Sequence, residues 1–335
     1  MKTNTLKQIA LVAFMVLGLT ACSDDENNST TPDNSIAGIA SRTSNLSTLV
    51  SALQKTGLTA TLSGSGNFTV FAPTNEAFDA FLSANGFANL DAVPVATLKN
   101  VLLNHVIATE IPSSAIPAAT YVSTLSPINT TTGAPTISMF VQKSGGVVTI
   151  NGGASNKGTT VATADIDATN GVIHVVNNVI AIPTLVNHVV ANPDFDTLQA
   201  VVTSTSGAFG DQSAVLNALN GITVAAPATL FAPNNAAFTA ATTGSGFAVG
   251  ANAAQVTKVL QYHVTLAGNV RSSQLTNNQP VSMITDPVQN TTVILGSGTV
   301  DIRDTASNLS RVFQADIQCS NGVIHGVQRV LQPQL

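Results

Sequence analysis

Three observations predict an α+β fold built twice over: long stretches of the chain recur in order, helical stripes precede β-rich runs in each copy, and each copy carries an Asn-Gly pair near its end. Phe68-Thr-Val-Phe-Ala-Pro-Thr-Asn-Glu-Ala-Phe78 returns as Ala228-Thr-Leu-Phe-Ala-Pro-Asn-Asn-Ala-Ala-Phe238. Leu103-Asn-His-Val106 returns as Gln261-Tyr-His-Val264, and Ala164-Asp-Ile-Asp-Ala-Thr-Asn-Gly-Val-Ile-His174 as Ala315-Asp-Ile-Gln-Cys-Ser-Asn-Gly-Val-Ile-His325. The offset is 149 residues from Leu46 to Phe195, 160 from Phe71 to Phe231, 158 at the histidines and 151 at the last motif. Order is kept and only the spacers change. The sequence therefore divides into domains at 36–183 and 184–335, each large enough to bury its own core. They meet at Pro183-Thr184 with almost no linker, so a restricted relative orientation is expected.

Ahead of the repeats, Lys2 and Lys7 precede an apolar run from Ile9 to Leu19, then small residues and Cys22. That run is shorter than the roughly 20 residues a membrane span needs and has the layout of a secretory signal peptide over 1–21. Leu19-Thr20-Ala21-Cys22 resembles the bacterial lipobox, which implies cleavage before Cys22 and a diacylglycerol on its thiol. Two or more acyl chains hold a protein stably on a membrane without crossing it. Residues 22–35 carry Asp24, Asp25, Glu26 and Asp33 among polar residues and read as a solvated tether. The acidic cluster after Cys22 resembles the surface-export signal of Bacteroidota lipoproteins; a generic acidic linker is the other reading.

Only 9% of residues are charged, against about 25% in ordinary soluble domains. The formal net charge is −5 and no basic patch exists, which excludes nucleic acid as a partner. After Cys22 the only thiol is Cys319, so no intramolecular disulfide is expected.

Within each repeat the elements follow from spacing. Leu46, Leu49, Val50 and Leu53 lie at i, i+3, i+4 and i+7, and Gly57 closes that helix. Leu98, Val101, Leu102 and His105 repeat the stripe, as do Val256, Val259, Leu260 and His263. Runs over 136–141, 147–151, 159–166 and 172–176 predict strands. Asn170-Gly171 and Asn321-Gly322 predict tight hairpin turns with positive backbone angles. Phe71 and Phe231 are expected to pack inward, Pro73 and Pro233 to end a strand, and Asn75 or Asn235 to cap the next helix.

This motif series resembles the fasciclin (FAS1) domain, over about 36–183 and 184–335. Thr184 to Leu198 is similar to that family's opening helical segment. The resemblance implies tandem domains, each a β-sandwich or wedge with helices on one side, and extracellular adhesion or ligand binding. In some animal members a Tyr-His pair has been tied to integrin binding. Tyr262-His263 matches that pair, whereas the first repeat has Asn104-His105, so the tyrosine does not carry over there. These four are candidate recognition residues; the alternative is that the histidines are half-buried and hold backbone carbonyls.

No His pair at i, i+4, no Cys/His zinc spacing and no EF-hand loop is present, so neither a metal nor a cofactor is expected. Gly244-Ser245-Gly246 and Gly64-Ser65-Gly66 lack the setting of a nucleophile elbow, Cys319 aligns with Ala168, and an enzyme is not expected. Asp196-Thr197-Leu198 and Asp304-Thr305-Ala306 match an Asp-Ser/Thr-apolar glycosylation signature of Bacteroidota, making Thr197 and Thr305 candidate O-glycan acceptors. The expectation is a non-enzymatic binding lipoprotein of the cell envelope, displayed on the outer membrane, that attaches to an extracellular protein or glycan. A carrier with a ligand in a cleft between domains, or an envelope structural protein, are the alternatives.

Overall fold

The computed structural model describes residues 32–129, 131, 133–243 and 252–335; the signal-peptide, Cys22 and Gly244-Ser245-Gly246 readings lie outside them. Domain 1 runs α1 (Ile36–Arg42), α2 (Ser47–Thr56), α3 (Thr59–Ser63), β1 (Phe68–Pro73), α4 (Asn75–Ala84), α5 (Val95–Asn104), β2 (Val106–Ile107), β3 (Ala119–Pro127), β4 (Thr136–Ser144), β5 (Val147–Ile150), β6 (Thr159–Ala168) and β7 (Gly171–Val176). Domain 2 runs α6 (Leu185–Ala191), α7 (Asp196–Val202), α8 (Ser213–Asn220), β8 (Ala228–Pro233), α9 (Asn235–Thr243), α10 (Ala253–Gln261), β9 (Val264–Thr265), β10 (Pro280–Ser282), β11 (Asn290–Gly296), β12 (Thr299–Arg303), β13 (Leu309–Cys319) and β14 (Gly322–Val327).

Each domain holds one seven-stranded sheet, ordered β2-β1-β7-β6-β5-β4-β3 in the first and β10-β11-β12-β13-β14-β8-β9 in the second. The late strands form an antiparallel meander. Its last strand then pairs in parallel with the early one, Phe68 opposite Gly171 through Pro73 opposite Val176, and Ala228 opposite Gly322 through Pro233 opposite Val327. Strands buried on both faces read as unbroken apolar runs, and β7 and β8 are buried at every position.

Alternation along the central strands feeds two cores per domain. In domain 1, Val70, Ala72, Ile173 and Val175 face the helices with Leu49, Phe78 and Leu98. Phe71 and Val176 face the other way, into a core with Ile107, Met139, Val148 and Ile150. Domain 2 repeats the division, with Phe231 and Val327 in its second core. The sheet thus folds over its own cluster while its outer face carries the helices, a wedge with helices on one side.

Three local expectations are corrected. Asp33–Ser35, assigned above to the tether, are fastened to domain 1: Asp33 Oδ1 accepts from Ser35 N at 2.9 Å, Ser35 Oγ caps α1 at Gly38, and Thr169 N donates to the Asn34 carbonyl. Thr74 and Asn234, not Asn75 and Asn235, cap the helices after the central strands. Asn75 instead accepts from Thr48 N at 2.9 Å and donates to the Ser44 carbonyl, and Asn235 does the same with Thr197 N and the Pro193 carbonyl. Those amides fasten the strand-to-helix corner to the domain's early helices.

The Asn-Gly corners also differ. Only the glycines take positive φ, 141° at Gly171 and 158° at Gly322. The Asn170 side chain accepts from Ile36 N and donates to the Leu62 and Gly64 carbonyls, and Asn321 likewise accepts from Leu185 N and donates to Ile222. These asparagines are buried hubs that join the hairpin to the start of the domain.

Candidate functional site

The paired histidines sit where a helix hands over to the edge strand. His105 Nδ1 lies 2.7 Å from the Val101 carbonyl, and its Nε2 accepts from Ile180 N at 2.8 Å. His263 repeats this with Val259 at 2.7 Å and Leu331 N at 2.9 Å. A backbone N–H can only donate, so Nε2 is the bare nitrogen and Nδ1 carries the proton. Burial pushes both imidazoles down to about 4, so both are neutral at pH 7.

The neighbours in the candidate set are buried as well. Asn104 and Tyr262 are each 0% exposed, and His105 and His263 are 2% exposed. Asn104 Nδ2 reaches the Ala181 carbonyl at 3.3 Å, and Tyr262 donates its hydroxyl to the Asn290 carbonyl at 2.8 Å. None of the four offers a side chain to a partner in this conformation. Their polar groups are turned onto the backbone or into the core, which supports the structural reading of these residues.

A second constellation escaped the sequence reading. Ser113 donates its backbone N–H at 2.7 Å and its hydroxyl at 2.5 Å to the Asp165 carboxylate, and Asp165 N donates to His174 Nδ1 at 3.2 Å. His174 Nε2 in turn faces the Ile111 carbonyl at 3.0 Å. Ser272, Asp316, His325 and Val270 repeat every bond. Asp165 and Asp316 have φ near 60°, at irregular points of β6 and β13. Ser, Asp and His together invite a nucleophilic reading, but the order of bonds forbids it. The serine donates to the carboxylate, and both imidazole nitrogens are engaged with backbone, so no imidazole nitrogen faces the hydroxyl to activate it. The hydrogen bonds from Ser113 hold the Asp165 carboxyl below its ordinary range. The unit is a latch between the turn before β3 and the bulged strand.

The domains meet through β3, β4 and the turn after β5 on one side, and α6 and β13 on the other. Ser138 Oγ accepts from Gln318 N at 2.9 Å. Asn187 Nδ2 donates to Asn156 Oδ1 at 3.1 Å, and Asn156 Nδ2 returns to the Asn187 carbonyl at 2.7 Å. Tyr121 packs against His188 edge-on, with centroids 5.4 Å apart, and against Phe140 at 4.9 Å. His188, which replaces Ile39 of the first repeat, is 0% exposed, and burial pushes it down to about 4. Burial also pushes the Tyr121 hydroxyl up.

Thr197 is half-buried on the first turn of α7. Thr305 is half-buried and donates its hydroxyl to the Gln332 carbonyl at 2.6 Å. Cys319 is fully buried, and burial raises its thiol. Among the described residues, no group of three or more His, Cys, Asp or Glu could hold a metal ion, and no helix is long and apolar enough to cross a membrane.

The class defined by these features is a tandem α+β protein in which polar motifs repeated in both domains fasten the fold. The fasciclin domain model matches residues 44–183 and 195–333, and the chain belongs to the fasciclin family. It is similar to a FAS1 domain pair from the insect cell adhesion molecule fasciclin I, with a TM-score of 0.54 and 17% identity over 86% of this chain and 97% of that one. Protein sll1483 of Synechocystis is 34% identical over 148 residues, 44% of this chain and 73% of that protein. A fasciclin-like arabinogalactan protein of Arthroderma benhamiae is 31% identical over 199 residues, 59% of this chain and 41% of that protein.

Proposed function

We propose that this chain is a lipid-anchored binding protein of the cell envelope, displayed at the outer surface, that attaches its cell to an extracellular protein or glycan without catalysing a reaction. The observation that carries the reading is the junction itself: two fasciclin domains are joined by Ser138–Gln318 and the Asn156–Asn187 amide pair, which favours one bivalent unit over two independent heads. A lipobox-like Leu19-Thr20-Ala21-Cys22 ahead of that unit supports display on a membrane. The carrier reading has one observation in its favour, an open cleft where the domains meet. The apolar crevice under α6 and α7, by contrast, has a volume of only about 30 Å³, little more than a water.

Two measurements test the proposal. Cys22→Ser is expected to abolish palmitate labelling and partition into detergent phase; retained labelling would remove the anchor. Cells expressing the native chain are expected to adhere to immobilised matrix proteins or glycans, and Cys22→Ser cells are expected not to. Equal adhesion by both would overturn the attachment role.

A further inference from the structure

The cleft at the domain junction is built from both domains. Tyr121 on β3 and Phe140 on β4 line it from domain 1, while Asn192 and Asp194 after α6 and Phe313 and Gln314 on β13 line it from domain 2. Its volume is about 220 Å³, below the roughly 300–1,000 Å³ of pockets for drug-sized ligands, and it is open on one side.

Phe313 is the informative residue. It is 37% exposed, and it is the one aromatic ring among the exposed large apolar side chains of the described residues. Val312 pairs with Val327 and Gln314 with Gly326, with Phe313 between them; in domain 1 Val161 pairs with Val176 and Thr163 with Val175, with Ala162 between them. The fold accepts an alanine at that register, so the aromatic belongs to this domain alone. Its ring is nonetheless fixed. It lies against Gly326, where a Cβ would stand 2.7 Å from it, and 6.4 Å from the buried Phe195 ring.

The polar wall is equally prearranged. Asn192 Oδ1 accepts from Asp194 N at 3.0 Å and its Nδ2 points to the Tyr121 hydroxyl at 3.4 Å. Walls held in place before a ligand arrives reduce the ordering cost of binding. Aromatic rings offer flat apolar faces, an amide both accepts from and donates to hydroxyls, and a carboxylate accepts from them. The six residues include one carboxylate and no cation, which disfavours phosphate, sulfate and uronate groups.

From this combination we infer that the junction cleft is a carbohydrate subsite that takes one neutral sugar ring of a larger glycan, its C–H face on Phe313 and its hydroxyls on Asp194 and Gln314. The inference rests on the attachment role proposed above and names the ligand class for it.

The test is retention of the full chain, in detergent micelles, on immobilised neutral hexose and N-acetylhexosamine oligosaccharides, uronate-containing oligosaccharides and matrix proteins. Neutral oligosaccharides are expected to be bound. Phe313→Ala is expected to weaken that binding about tenfold or more, and Gln314→Ala, which leaves the ring on Gly326, about threefold or more. Neutral-sugar binding unchanged in both variants would overturn the cleft assignment, as would binding confined to uronates. Retention by a matrix protein without any sugar would overturn the subsite and leave the attachment role standing. Retention by nothing on the panel would overturn both.

Discussion

A histidine whose two nitrogens both bond to backbone is a strut, and His105 is one. It joins the end of α5 to the segment after β7 through Val101 and Ile180, groups 79 residues apart in sequence. Removing the ring leaves the Ile180 N–H buried without a partner, and an orphaned buried donor costs about 1–3 kcal/mol. His105→Ala is therefore expected to lower stability by about that amount in urea denaturation, with a larger loss if the cavity left by the ring does not close. His263→Ala should behave alike, since its bonds differ by no more than 0.1 Å. A variant of unchanged stability that no longer supports attachment would return these residues to the recognition role. The residue scale also explains what sequence could not resolve about them. The stripe Leu98, Val101, Leu102, His105 shows an inward-facing ring, but whether Nε2 meets solvent or a backbone N–H depends on Ile180, which no local pattern connects to it.

At the scale of elements, the parallel pairing of β1 with β7 is the contact on which each domain turns, and it constrains a single atom. A Cβ on Gly171 would stand 1.9 Å from the Phe68 carbonyl oxygen, and on Gly322 2.1 Å from that of Ala228. Backbone cannot yield there without breaking the ladder. Gly171→Ala is expected to destabilise domain 1 by more than about 3 kcal/mol, visible as a loss of the cooperative thermal transition, whereas alanine at Gly145, with nothing within 4 Å, should cost only about 1 kcal/mol from its left-handed φ of 56°. The helices α2, α5 and α10 and strands β4 to β7 were legible because their apolar periods are local. The parallel pair was not: its partners are about a hundred residues apart, and both strands simply look apolar. The caps were misplaced by one residue for a similar reason. Thr74 and Asn75 are both competent caps, and only the distant Thr48 N–H decides which one is already occupied.

For the molecule as a whole, the close junction at Pro183-Thr184 announced a restricted arrangement, while the residues that impose it were hidden. Ser138, Asn156 and Gln318 are ordinary polar residues until two domains press them together. His188 is the member of that interface with a pH dependence. His105, His188 and His263 are all depressed to about 4 by burial, and His325 is lowered for the same reason. In an unfolded chain a histidine titrates near 6.5. Between these values the unfolded chain binds protons that the native one refuses, so stability rises with pH. Their contribution is therefore complete above about pH 6.5, falls as the pH drops through the interval, and levels off below about 4. Near pH 5 the slope of unfolding free energy against pH should correspond to about three protons or more taken up on unfolding. His188→Phe isolates the junction. It keeps an aromatic ring against Tyr121 and cannot be protonated, and the first repeat already places apolar Ile39 at this position. Urea titrations of the full chain from pH 4 to 7 are expected to show that slope reduced by about one proton in the variant, with stability at pH 7 changed by no more than about 1.5 kcal/mol. An identical slope in both proteins would mean that His188 is already charged, or solvated, in the native junction.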